Sequence, residues 1–299
     1  MFYFKKHKIY GNIIVSNEGD SMEIKSILEI YNIETKKTRT IKEFDYLIEA
    51  PNWNHLTNDL IYNANGLIFK INLNTFEVNQ IDTGHCDNCN NDHVLSSDFK
   101  YLYVSHSERT DYLSRIYKLP IDGGTPELIT KKGPSYLHGA STFYNSLAYC
   151  AERNGQYDVY VINEDTLEEI QLTNVNTLDD GPEYYKNHIW FNSGRSGLMQ
   201  IYRMNHDGSD VLKMTHSDSN NWFPHVSPNG KKVVYLVYEK DDVHYLDHPA
   251  NKNVSIRMMD YNGEKDECII KLFGGQGTIN VNSWSKDSLE FAYVRYVIK

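Results

Sequence analysis

Apolar and polar residues alternate along this chain in short runs separated by turn residues, the two-residue period of half-buried β-strands. The clearest run is Asn221-Trp222-Phe223-Pro224-His225-Val226-Ser227-Pro228-Asn229-Gly230-Lys231-Lys232-Val233-Val234-Tyr235. It predicts a strand, a Ser-Pro-Asn-Gly reversal that supplies both the proline and the positive-φ residue a tight turn needs, and a second apolar strand. Weaker copies of this hairpin stand at Asn52-Trp53, Val94 to Asp98, Gly139-Ala140-Ser141, Glu183-Tyr184-Tyr185 and Ser283 to Ser288. Their spacing of about 42 to 58 residues is that of a propeller blade.

A second unit of strand, turn and strand alternates with the hairpins, as in Ile116-Tyr117-Lys118-Leu119-Pro120-Ile121-Asp122-Gly123-Gly124 and Ile201-Tyr202-Arg203-Met204-Asn205-His206-Asp207-Gly208. Hairpins and outer pairs together predict an all-β, six-bladed β-propeller of four-stranded antiparallel blades, occupying residues 24 to 299 as one domain. The chain opens on an outer pair, 25 to 44, and closes on an inner pair, 279 to 297. One blade must therefore be built from both termini, with N-terminal outer strands pairing with C-terminal inner strands, which hides two open sheet edges. Residues 1 to 23 precede the first repeat and are expected to form an extra edge strand or an arm.

Composition changes this picture little, but it narrows the partners. The 299 residues carry a formal charge of -10, and 23 of them are tyrosine. Net negative charge disfavours nucleic acid and anionic membrane and favours a basic protein partner. The first residues lack the apolar core of a signal peptide and no stretch is long enough to cross a membrane as a helix, so a cytoplasmic location is expected. Four cysteines are too few and too scattered for a disulfide framework. Cys86-Asp87-Asn88-Cys89 lacks the second cysteine pair of a closed zinc site, and Cys89 is read as a buried loop residue.

In a propeller the first strand of every blade lines the axial channel, so residues ahead of the hairpin turns converge although they are distant in sequence. That places His93, His138, Glu183 and His225 around one axis. Three imidazoles and a carboxylate are ligands for a divalent metal such as Mn, Zn or Ca, or catalytic proton carriers. Around them, on the loop-bearing face, Arg153 and Arg195 suit a ligand carboxylate, Trp222 a sugar face, and Gln276 and His248 polar contacts. Asn90, Asp92, Tyr136, Asp179 and Asp180 fall on the same face. For any single member, hydrogen bonding to water in a solvated channel is the competing role.

Asp180-Gly181-Pro182-Glu183-Tyr184, Asn221 to Pro228, His248-Pro249-Ala250-Asn251 and Phe273-Gly274-Gly275-Gln276-Gly277-Thr278-Ile279-Asn280 resemble the small TolB-like six-bladed propeller family, a likeness that runs from about residue 24 to the end. A more distant similarity is to oligogalacturonate lyases, propellers that hold a metal in a His-rich pocket. The resemblance implies the six-bladed fold and, through the lyases, a metal-assisted enzyme or binder acting on a small carbohydrate-like acid. The positions where those lyases carry further histidines hold Ile279 and Val281 here. The alternative is a non-catalytic propeller that binds a protein on its loop face.

Overall fold

The computed structural model describes residues 13–15 and 21–298, with side chains from residue 24. Among the described residues, six four-stranded antiparallel sheets succeed one another around an axis. The closing blade takes β1 (Ile13–Val15), β2 (Ser21–Asn32) and β3 (Lys37–Phe44) from the start of the chain. Five blades then follow in order. The first contains β4 (Glu49–Asn54), β5 (Asp59–Ala64), β6 (Leu67–Asn72) and β7 (Val78–Ile81), and the second β8 (Cys89–Leu95), β9 (Tyr101–Ser107), β10 (Ser114–Pro120) and β11 (Glu127–Leu128). The third contains β12 (Ser135–Ala140), β13 (Ser146–Arg153), β14 (Gln156–Asn163) and β15 (Glu169–Gln171). The fourth contains β16 (Asp179–Tyr185), β17 (His188–Ser193), β18 (Gln200–Asn205) and β19 (Leu212–Lys213), and the fifth β20 (Ser219–Val226), β21 (Lys232–Glu239), β22 (Lys252–Asp260) and β23 (Glu267–Gly274). Last comes β24 (Glu290–Ile298), which returns to the closing blade.

Ring closure is a continuous antiparallel pairing of β2 with β24, from Ile24 opposite Ile298 to Asn32 opposite Glu290. The two ends of the repeat array thus share one sheet, as the unmatched outer and inner pairs require. Before them, β1 pairs with the first three residues of β2, an extra strand on that blade. Residues 1–12 and 16–20 of the expected arm lie outside the described residues.

The innermost strand of the closing blade departs from expectation. Instead of a full strand from residue 279, the chain makes a 3-10 turn at Gln276–Thr278 and then only an isolated bridge, Trp284 to Phe291. The reason is competition for its polar groups. Asn280 and Asn282 reach to the second and fifth blades, and the carbonyls of Ile279 and Asn282 accept from His225 and Asn52, so the ladder is replaced by cross-blade bonds.

Apolar residues of facing blades interlock to form the core. Ala148, Val159 and Val161 of the third blade, for example, pack with Tyr184, Ile189, Phe191 and Met204 of the fourth. Burial of such faces, at about 25 cal/mol per Å2, is what holds the ring together.

One local device recurs on the inner strands. Five of them slip register, between Glu49 and Asn52, Cys89 and His93, Leu137 and Gly139, Asp180 and Glu183, and Trp222 and His225. In three of these a positive-φ residue precedes a proline: Ala50 (φ 54), Gly181 (φ 61) and Phe223 (φ 54), before Pro51, Pro182 and Pro224. The proline has no N–H for the ladder and the left-handed residue turns the strand, which together make a β-bulge. Gly181 has a further constraint, since a Cβ there would lie 2.5 Å from Asn192 Oδ1.

Candidate functional site

The bulges divide the channel-facing residues into two levels. On the face that carries the long loops, a cavity of about 260 Å3 is lined by Asn90, Asp92, Tyr136, His138, Cys150, Tyr157, Leu178, Asp180, Leu246, His248 and Gln276. The long connection between β21 and β22 supplies Leu246 and His248, as loops on a rigid array commonly do.

His138 sits at the centre. Its Nε2 lies 3.6 Å from Asp92 Oδ1 and 3.4 Å from Asp180 Oδ1, while His248 Nε2 lies 3.5 Å from Asp180 Oδ2. Asp92 also accepts hydrogen bonds from Asn280 Nδ2 (2.7 Å) and Asn90 Nδ2 (2.6 Å), and Asp180 accepts one from the Gly181 N–H (2.7 Å). Behind this row the Phe223 ring stacks on His138 at 5.9 Å, and Trp222 meets His248 edge-on at 4.4 Å.

Electrostatics separates the two carboxyls. Burial raises the pKa of Asp92, opposed by His138 and Asn280. Burial would raise Asp180 as well, but hydrogen bonds and charge from His138 and His248 outweigh it and hold that carboxyl far below the usual range. For His138, burial would lower the pKa, and Asp92 and Asp180 overcome it and raise it. Asp180→Asn is therefore expected to shift the His138 titration downward, since burial then faces one carboxylate instead of two; following the ring protons by NMR across the pH range measures it.

Of the four residues expected to share a metal, the structure places only His138 in this cavity. His93 is fully buried, and neither ring nitrogen has a hydrogen-bond partner among the described residues. Glu183 and His225 pair with each other, His225 Nδ1 lying 2.5 Å from Glu183 Oε2, and His225 Nε2 donates to the Ile279 carbonyl. With both nitrogens engaged, His225 has no lone pair free for a metal. Among the described residues no group of three or more His, Cys, Asp or Glu is arranged to hold a metal ion, so the expected ligand set does not fit one.

The expected carboxylate clamps are also engaged. Arg153 bonds Glu169 and the carbonyls of Pro134 and Glu152, and Arg195 bonds Asp179 and Ser193. Neither lines the cavity. Trp222 is fully buried, so it supports His248 and presents no face to a sugar. Gln276 and His248 do line the cavity. Asp92, Asp180, Tyr136 and Asn90 fell on the right face in the sequence without an assigned role, and only their position beyond the bulges shows it. Cys150 and Tyr157 carried no signal, because they come from β13 and β14.

The Cys86 and Cys89 thiols are buried, and Cys89 Sγ bonds the Cys86 carbonyl at 3.3 Å. Burial pushes Cys86 up to about 12 and Cys89 higher; Cys89 is buried as expected, but it opens strand β8 and is not in a loop. No helix among the described residues is long and apolar enough to cross a membrane.

Comparison with known proteins agrees with this architecture. A family model described as the TolB beta propeller domain matches residues 144–250. A protein of Agrobacterium fabrum, Uncharacterized protein Atu1656, is 42% identical over 282 residues, covering 93% of this chain and 94% of that one. A solved structure from Agrobacterium tumefaciens that bears the name TolB superposes with a TM-score of 0.87 at 41% identity, covering 92% of this chain and 99% of its own. At 13% identity, an oligogalacturonate lyase from Vibrio parahaemolyticus shares the fold, with a TM-score of 0.52 over 84% of this chain and 74% of its own. With six closed blades and such identity along nearly its whole length, the chain belongs to the TolB-like β-propeller family.

Proposed function

We propose that the cavity around His138 is a ligand site, and that it takes a small, neutral, hydroxyl-rich molecule of the carbohydrate class. The observation that carries this reading is a row of two carboxyls and two imidazoles in a cavity whose wall includes no Lys or Arg among the described residues. Carboxylates accept hydrogen bonds from hydroxyls, Asn90 and Gln276 both donate and accept, and Tyr136 and Tyr157 offer ring surface to C–H faces. A volume just under the roughly 300–1,000 Å3 of typical small-molecule sites suits one ring better than a chain.

A uronate fits less well. Its carboxylate would enter beside Asp92 and Asp180, with Arg153 and Arg195 held elsewhere. The lyase-like acid implied by resemblance thus gives way to a neutral relative. Asp92 and Asp180, pushed in opposite directions on either side of His138, also form a proton donor and acceptor set through which a ligand hydroxyl could be activated.

Calorimetric titration with neutral monosaccharides and their uronic acids tests the reading. Saturable binding of a neutral sugar, weakened at least tenfold by Asp180→Asn, is the expected result. A uronate that binds more tightly than its parent sugar, or no sugar binding at all, would overturn it.

A further inference from the structure

The opposite end of the channel, where the hairpin turns lie, holds a second cavity of about 390 Å3. Rings of Trp53, Phe99 and Phe143 line it, with Phe143 two-thirds exposed at the rim. The indole N–H of Trp53 donates to Asn58 Oδ1, so that group is satisfied by the protein. What these side chains offer a ligand is ring surface.

Two polar side chains in the wall are incompletely bonded. Asn52 is 6% exposed; its Nδ2 donates to the Asn282 carbonyl at 2.6 Å and its Oδ1 has no partner. Because a carbonyl only accepts, the Asn52 nitrogen must face it, and the leftover oxygen is an acceptor awaiting a donor. His138, also 6% exposed, lines this cavity as well as the other, and its Nδ1 makes no hydrogen bond. A buried acceptor is rarely left unmatched in a folded protein.

We propose that this cavity is a second binding site, for a small aromatic molecule that carries a hydroxyl or amine donor. The ring lies against the aromatic wall and the donor meets Asn52 Oδ1. The site stands independently of the sugar reading, because it shares only His138 with the other cavity, and its test avoids that residue.

Phenol and indole serve as probes and toluene as the control without a donor, followed by ligand-observed NMR. Phenol and indole are expected to bind saturably at one site, more tightly than toluene, and to lose at least fivefold in affinity in Asn52→Leu. Nuclear Overhauser contacts from bound phenol to Trp53 and Phe99 in the unmodified protein locate the probe whether or not the Asn52 variant folds. Absence of saturable binding, equal affinity for toluene and phenol, indifference to Asn52→Leu in a folded variant, or contacts to another surface would overturn the proposal.

Discussion

Replacing Glu183 by alanine is expected to lower the stability of the ring by about 3–5 kcal/mol, the range seen when one partner of a buried ion pair is removed. Glu183 belongs to the fourth blade, yet Oε1 accepts from the Val226 N–H (3.0 Å) and Asn282 Nδ2 (2.8 Å), and Oε2 faces His225. One carboxylate therefore ties the fourth blade to the fifth and to the closing segment. Its loss removes the acceptor of the buried Val226 N–H and the partner of His225, while Asn282 Nδ2 keeps its bond to the Val226 carbonyl. In a chain of this size each kcal/mol moves the melting temperature by about 2–4 °C, so calorimetry should record a fall of roughly 10 °C. Glu183→Gln, which keeps the shape and one acceptor, is expected to lose less. A loss below about 1 kcal/mol for the alanine variant would mean that the clasp does not hold the blades. Neither Glu183 nor His225 lines the upper cavity, so sugar binding per folded molecule should survive.

His93→Leu is expected to act in the opposite direction. The His93 ring is fully buried with both nitrogens unpartnered, and burial alone lowers its pKa to about 4. The unfolded chain, with an ordinary value near 6.5, takes up a proton that the folded protein refuses. Folded-state stability should therefore fall as the pH drops from above 6.5 to about 4, by about 3 kcal/mol in all at roughly 1.4 kcal/mol per unit of pKa difference. Leucine fills a similar volume, leaves no unmatched polar atom and cannot titrate. The variant should match or exceed the unmodified protein at pH 7 and gain on it steadily toward pH 4. Urea unfolding at a series of pH values measures this; parallel curves for the two proteins between pH 6.5 and 4 would show that His93 is solvated or bonded after all.

Both results turn on side chains that the repeat pattern brought to the channel but could not assign. Read as a ring of equivalent positions, His93, His138, Glu183 and His225 looked like one metal set. The bulges set their levels apart, leaving His138 between Asp92 and Asp180, Glu183 and His225 paired lower down, and His93 enclosed in the core. Arg153 and Arg195 met a similar fate: a guanidinium near a cavity mouth is a clamp only when no carboxylate of its own blade reaches it first, and Glu169 and Asp179 do. The long connection carrying His248 and the glycine-rich segment carrying Gln276 were legible, because loop length and turn chemistry place them on the loop face whatever their neighbours are.

The amino-acid sequence by itself determined the blade count, the order of strands within a blade and the joining of both termini in one sheet. Strand alternation and turn residues act locally, and an unmatched outer pair at one end has only the inner pair at the other to complete it. Tertiary structure alone decided which inner-strand side chains face which cavity and which are already bonded. A bulge of one residue reverses the direction of a side chain, and the partners that satisfy a carboxylate or an imidazole come from blades some forty residues or more away in sequence, where no local pattern records them.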